Sequence, residues 1–115
     1  MSYERIPKDP RDNVARLESI VVGYKRKLAS KKNIRSLTES KLTRLRETLL
    51  TLQDDEEKQE KLTVERKYLF DLNNLDTVIA QLEGKIIWAE RRQIPFLMSE
   101  IERFYLEKSE ENAAE

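Results

Sequence analysis

The chain has no cysteine and no histidine among its 115 residues. Without cysteine there is no disulfide framework and no thiolate to act as nucleophile. Without histidine the commonest general base and the commonest metal ligand are missing, and with them every Ser-His or Cys-His nucleophile pair. The two absences together remove any plausible zinc site, and a di-iron bundle lacks its Glu-x-x-His motif. Glycine and proline are nearly as scarce, at two and three residues, and neither occurs between Gly23 and Gly84. A β or α/β domain of this size needs many more turn residues. No glycine-rich loop is present to cradle phosphates, and the acidic run Asp54-Asp55-Glu56-Glu57 does not match a calcium-binding loop. No apolar run approaches the roughly 18 residues of a membrane span, and the N-terminal residues Met1 to Lys8 lack the apolar stretch of a signal peptide. The expectation is a non-enzymatic chain with no catalytic residues, no metal and no cofactor, soluble and intracellular (cytoplasmic or nuclear), with no membrane partner. An enzyme working through carboxylates alone is the one catalytic option these absences leave open.

What the sequence does hold is charge, 38% of residues against the roughly 25% of an ordinary globular domain. Hydrophobic residues also make up 38%. That balance suits extended helix with a narrow apolar stripe. The formal net charge of zero hides an asymmetry. Residues 1–50 carry 13 Lys/Arg against 6 Asp/Glu, and the remainder 9 against 16, so the halves are of opposite sign. Either one half meets a charged partner or the two halves attract each other.

Apolar spacing organises the chain. Residues 1–8 read as a tail, Asp9 as an N-cap and Pro10 as the first helical residue, where a missing N–H costs nothing. Val14, Leu17, Val21, Tyr24 and Leu28 then recur at alternating steps of three and four, a heptad seam. The seam fails at Lys31 and Arg35, and Ser36-Leu37-Thr38-Glu39 matches a capping box, so a helix break is expected over 30–35. Leu42, Leu45, Leu49 and Leu52 resume the seam. Gln53 to Lys61 contains no apolar residue, which places a hairpin tip near Asp54–Glu57. The longest seam follows: Tyr68, Leu72, Leu75, Ile79, Leu82, Ile86 and Ala89. Beyond it the apolar phase slips by one residue to Ile94, Leu97, Ile101 and Phe104, and Pro95 sits at the slip, predicting a kink or corner at Arg92–Pro95. The predicted fold class is all-α, a long antiparallel helical hairpin or coiled-coil-like bundle with a kinked or folded-back C-terminal helix. Its helices run over about 10–30, 36–53, 58–93 and 95–108 in a single domain over 9–108, and 109–115 is an acidic, disordered tail. Residues 58–93 would span roughly 54 Å as a helix, and 10–52 laid antiparallel would match it. Two helices touching along one seam bury little surface, so self-association, a dimer foremost, is expected.

Two residue sets point to binding. The basic segment holds Lys25, Arg26, Lys27, Lys31, Lys32, Arg35, Lys41, Arg44 and Arg46 against one acid, Glu39. Such a cluster suits a polyanion, since each neutralised phosphate releases counterions. It suits equally a solvated face, or a surface paired with acidic residues of the same or another chain. It lacks the interleaved aromatics of single-strand binders. The second set is C-terminal and apolar: Trp88, Phe96, Leu97, Met98, Ile101, Phe104 and Tyr105 are candidates for partner contact, because these residue types anchor interfaces. The alternative is that they form the thick end of the bundle core. Trp88 lies half a turn off the Ile79/Leu82/Ile86 seam, which makes it the best single anchor. The functional expectation is a protein–protein interaction module (adaptor, scaffold or assembly subunit), with nucleic-acid binding through residues 25–46 as the alternative.

Overall fold

The structure is a computed structural model that describes residues 10–114, with side chains over 11–111. The tail expected over residues 1–8 and the Asp9 cap lie outside the described residues. The chain is all-α: α1 is Pro10–Thr51, α2 is Asp55–Trp88, a five-residue π-helical turn occupies Ala89–Gln93, and α3 is Ile94–Ala114. There is no strand among the described residues. The residues group into two compact units, one of Arg26–Glu83 and one joining the residues up to Lys25 with those from Gly84 onward.

The Arg26–Glu83 unit is an antiparallel hairpin, turned at residues 52–54. Arg46 pairs with Glu65, Arg35 with Asp76 and Lys32 with Glu83, so partners on α2 advance as those on α1 recede. Leu42, Leu45 and Leu82 are its buried apolar residues. Each such side chain taken out of water stabilises the pair by about 1.5–3 kcal/mol. The turn comes earlier than the expected tip near Asp54–Glu57. Asp54 Oδ1 accepts the backbone N–H of Glu56 at 3.0 Å, and the Asp54 carbonyl accepts the N–H of Lys58 at 3.0 Å. Asp54 is thus the N-cap of α2, and Asp55, Glu56 and Glu57 occupy its first turn, where the helix dipole favours negative charge. The polar run that suggested a tip is mostly a charge-matched helix start.

The break expected over 30–35 does not occur, and α1 replaces the two helices expected over 10–30 and 36–53. The capping-box reading fails because its carboxylate, that of Glu39, is used within the helix. Thr38 Oγ1 donates to the Ile34 carbonyl at 2.9 Å, one turn back, and the Glu39 carboxylate is taken by Arg35. No glycine or proline interrupts the stretch, so nothing ends the hydrogen-bond ladder. The seam also continues in geometry where it fails in chemistry. Lys31, Arg35 and Thr38 are half-buried at the very steps that join Leu28 to Leu42.

The other unit pairs the start of α1 with the end of α2, the π turn and α3. Val14, Val21, Ile86 and Ala89 are buried, and Leu17, Tyr24, Ile94, Leu97, Ile101 and Phe104 are half-buried. Where the sequence predicts a kink or corner at Arg92–Pro95, the structure has a π turn over Ala89–Gln93, in which the Ile94 N–H bonds to the Ala89 carbonyl five residues back. A π turn adds one residue to the helical repeat. The apolar step from Ala89 to Ile94 is five residues, so the insertion carries the shifted stripe back onto the same face. It also puts the irregular hydrogen bonding just ahead of Pro95, which has no N–H to give. The helix continues through Ala114, so the disordered tail expected from Ser109 is helical over 109–114.

Candidate interaction surfaces

Each unit has two unlike edges beside its seam. In the Arg26–Glu83 unit, Lys32 and Arg46 sit one residue after the seam positions Lys31 and Leu45, and Asp76 and Glu83 one residue after Leu75 and Leu82. Antiparallel packing brings these flanks together. Lys32 Nζ lies 3.5 Å from Glu83, Arg46 Nε 3.4 Å from Glu65, and Arg35 Nε donates to Asp76 Oδ1 at 2.5 Å while a second guanidinium nitrogen meets Glu39. The hydrogen bond to Asp76, with the nearby charges of Asp76 and Glu39, raises the Arg35 pKa above its ordinary value despite some desolvation. A raised cation stabilises the fold at every pH below its ordinary pKa and loses that contribution only in strong alkali. In the other unit, Lys25 Nζ lies 2.6 Å from Glu90.

The opposite edge carries no ion pair between helices among the described residues. In the Arg26–Glu83 unit it is an open groove of about 310 Å³ where Ile34, Leu75 and Val78 lie between Lys31 and Asp71. In the other unit a groove of about 380 Å³ is lined by Arg16, Leu17, Ile20, Phe96 and Leu97.

The basic segment does not form one free cationic face. Lys25, Lys32, Arg35 and Arg46 are held in the pairs above, and Lys31 and Arg35 are half-buried in the seam. Arg26, Lys27, Lys31, Lys41 and Arg44 make no ion pair among the described residues. The ladder itself was legible and missed. Lys25, Lys32, Glu39 and Arg46 recur every seven residues, as do Asp76, Glu83 and Glu90, each train beside a seam.

The C-terminal apolar set divides. Leu97, Ile101 and Phe104 are half-buried in the seam against α1. Trp88, Phe96, Met98 and Tyr105 are exposed, Trp88 at 55% and Phe96 at 64%. Ile87 and Leu106 are exposed beside them. The exposed rings are not free in orientation. The Arg92 guanidinium lies 5.7 Å from the Trp88 ring, and Tyr105 meets Phe104 edge-on at 5.5 Å, with the Arg11 guanidinium 5.1 Å from the Tyr105 ring centroid. Such contacts pre-order large side chains, lowering the entropy lost when a partner covers them. No cluster able to hold a metal ion occurs among the described residues, and no helix there is long and apolar enough to cross a membrane. No protein-family model, curated protein sequence or solved structure matches the chain.

Proposed function

We propose that this chain is a non-enzymatic helical interaction module, an adaptor, scaffold or assembly subunit that binds protein partners through coiled-coil-type surfaces. The observation that carries the reading is the exposed apolar set around the π turn: Ile87, Trp88, Phe96 and Met98 lie outside the seam that holds the helices together. Aromatic side chains in that state contribute nothing to the chain's own core and match the residue types that anchor protein interfaces. π turns also concentrate at functional sites.

The second reading, nucleic-acid binding, rests on Arg26, Lys27, Lys31, Lys41 and Arg44, which make no ion pair among the described residues. Against it stand the four cations of the same segment already neutralised by Glu90, Glu83, Asp76 and Glu65.

One comparison separates them. Proteins retained by the wild-type chain are identified by mass spectrometry and compared with those retained by Trp88→Ala and Lys41→Glu/Arg44→Glu chains. Loss of a specific protein in the Trp88→Ala sample, with the melting temperature within a few degrees of wild type, supports the interaction reading. Retention of every protein by Trp88→Ala, together with salt-sensitive micromolar binding of DNA or RNA that Lys41→Glu/Arg44→Glu abolishes, assigns the chain to nucleic acid instead.

A further inference from the structure

The outward face of α3 carries an ordered stripe that the core does not use. Starting in the π turn, Arg92, Phe96, Ser99, Arg103, Leu106 and Glu110 follow at steps of four, three, four, three and four, so they share one face of the helix. All six are exposed, Phe96 and Leu106 each at 64%, and the inward stripe of Ile94, Leu97, Ile101 and Phe104 lies on the opposite side.

Both the spacing and the chemistry of this stripe are symmetric under reversal. The steps read the same from either end. A cation at one end answers an anion at the other, the apolar Phe96 answers the apolar Leu106, and the hydroxyl of Ser99 answers the donor-rich Arg103. A two-fold contact requires this arrangement: residue i meets residue j of the second copy while j meets i. We propose that α3 docks antiparallel on α3 of a second copy of this chain, with Arg92 against the partner's Glu110 and Phe96 against the partner's Leu106, each contact made twice. At the centre, Arg103 reaches the partner's Ser99. Its only ion pair among the described residues is a loose one, 3.6 Å to Glu100 one turn back, and the Ser99 hydroxyl, which donates to the Pro95 carbonyl at 3.2 Å, keeps its lone pairs to accept. The proposal deepens the interaction reading above and rests on it. Two apolar pairs and two exposed ion pairs make a small interface, so the dimer is weak and concentration-dependent.

The test exploits a separation. Arg92 and Glu110 stand 18 residues apart along one helical segment, roughly 27 Å, so they cannot meet within a chain. The full chain is followed by sedimentation equilibrium as wild type, Arg92→Glu, Glu110→Arg and an equimolar mixture of the two variants, with circular dichroism to confirm equal helicity. The wild type is expected to approach twice 13.7 kDa as concentration rises. Each variant alone places like charges together at both ends and weakens association about tenfold. The mixture restores it, because a dimer of one variant with the other rebuilds both ion pairs. Leu106→Asp, at a side chain 64% exposed, weakens association further and is not rescued.

A wild type that stays at 13.7 kDa up to about 1 mM overturns the proposal, as does a dimer indifferent to both charge changes. Either result, combined with a Trp88-dependent protein partner, removes the self-docking and leaves the interaction module standing. If no protein partner depends on Trp88 and the mixture still rescues, self-docking survives as the chain's one protein contact.

Discussion

Replacing Gly23 and Gly84 with alanine should raise the stability of this chain substantially, and the size of the gain follows from the structure. Both glycines lie inside helices, Gly23 in α1 and Gly84 in α2. Neither adopts a positive φ, so neither uses the freedom that only glycine has. A Cβ built at either position meets no atom within 4 Å beyond its own helix. The substitution therefore costs no strain and no clash, while it reduces the backbone freedom lost on folding. Helix-interior glycine is worse than alanine by about 0.8–1 kcal/mol, so the pair should contribute roughly 1.5–2 kcal/mol. At the unfolding entropy typical of a chain this long, that corresponds to a melting temperature higher by about 6–8 °C. Thermal melts by circular dichroism at 222 nm, run at two concentrations on the two single variants and the double, measure it. A double variant that melts lower than wild type at both concentrations would refute the argument, because it would mean that something occupies the space the isolated chain leaves empty. A loss confined to the higher concentration would place a second copy over one of the glycines.

Two leucines on one helix should behave oppositely. Leu45 is buried in the seam, and Leu45→Ala should cost about 2–3 kcal/mol in urea unfolding, whereas Leu50, 87% exposed, should change stability by less than about 0.5 kcal/mol as alanine. Equal losses would mean that the seam is not the core. On the ion-paired edge, Lys32→Glu and Glu83→Lys should each destabilise and the double swap should recover most of the loss. The coupling energy should be about 0.2–1 kcal/mol and smaller at 1 M salt, where the screening length falls to about 3 Å. Additive effects would refute the pairing. Since the raised Arg35 cation stays charged below its ordinary pKa, the stability change in Arg35→Leu should be the same at pH 6 and pH 9. A difference across that range would trace the effect to some other group.

The reading of residue order reached most of the fold because the signal was periodic and local. Tyr68 to Ala89 and Val14 to Leu28 repeat at alternating threes and fours, and only a helix turns such a list into a surface. The slip between Ala89 and Ile94 was visible too, although its resolution as a π turn rather than a corner depended on which hydrogen bonds the helix could keep beside Pro95. The capping box at Ser36–Glu39 misled for a related reason. A short motif states what a side chain can bond, and a neighbour one turn away, the Arg35 guanidinium, decided what the Glu39 carboxylate does bond. Asp54 shows the reverse case, a cap whose place became clear only once the turn around it was seen.

The binding surfaces were less legible, because they depend on which of several equivalent residues the second helix covers. Seven-residue spacing beside the seam sets Lys25 and Lys32 apart from Arg26 and Lys41, but only antiparallel pairing decides that Glu90 and Glu83 are what they meet. Nothing in composition separates Leu97, Ile101 and Phe104 from Phe96 and Met98, yet the helical phase after the π turn puts the first three in the seam and leaves the others in water. Periodicity along one strand of sequence determined that this chain is helical and where its greasy stripe runs, since that depends only on a residue's neighbours three and four away. Which charges are neutralised and which aromatics remain exposed was decided by the partner helix, since burial belongs to pairs of surfaces and no single segment contains it.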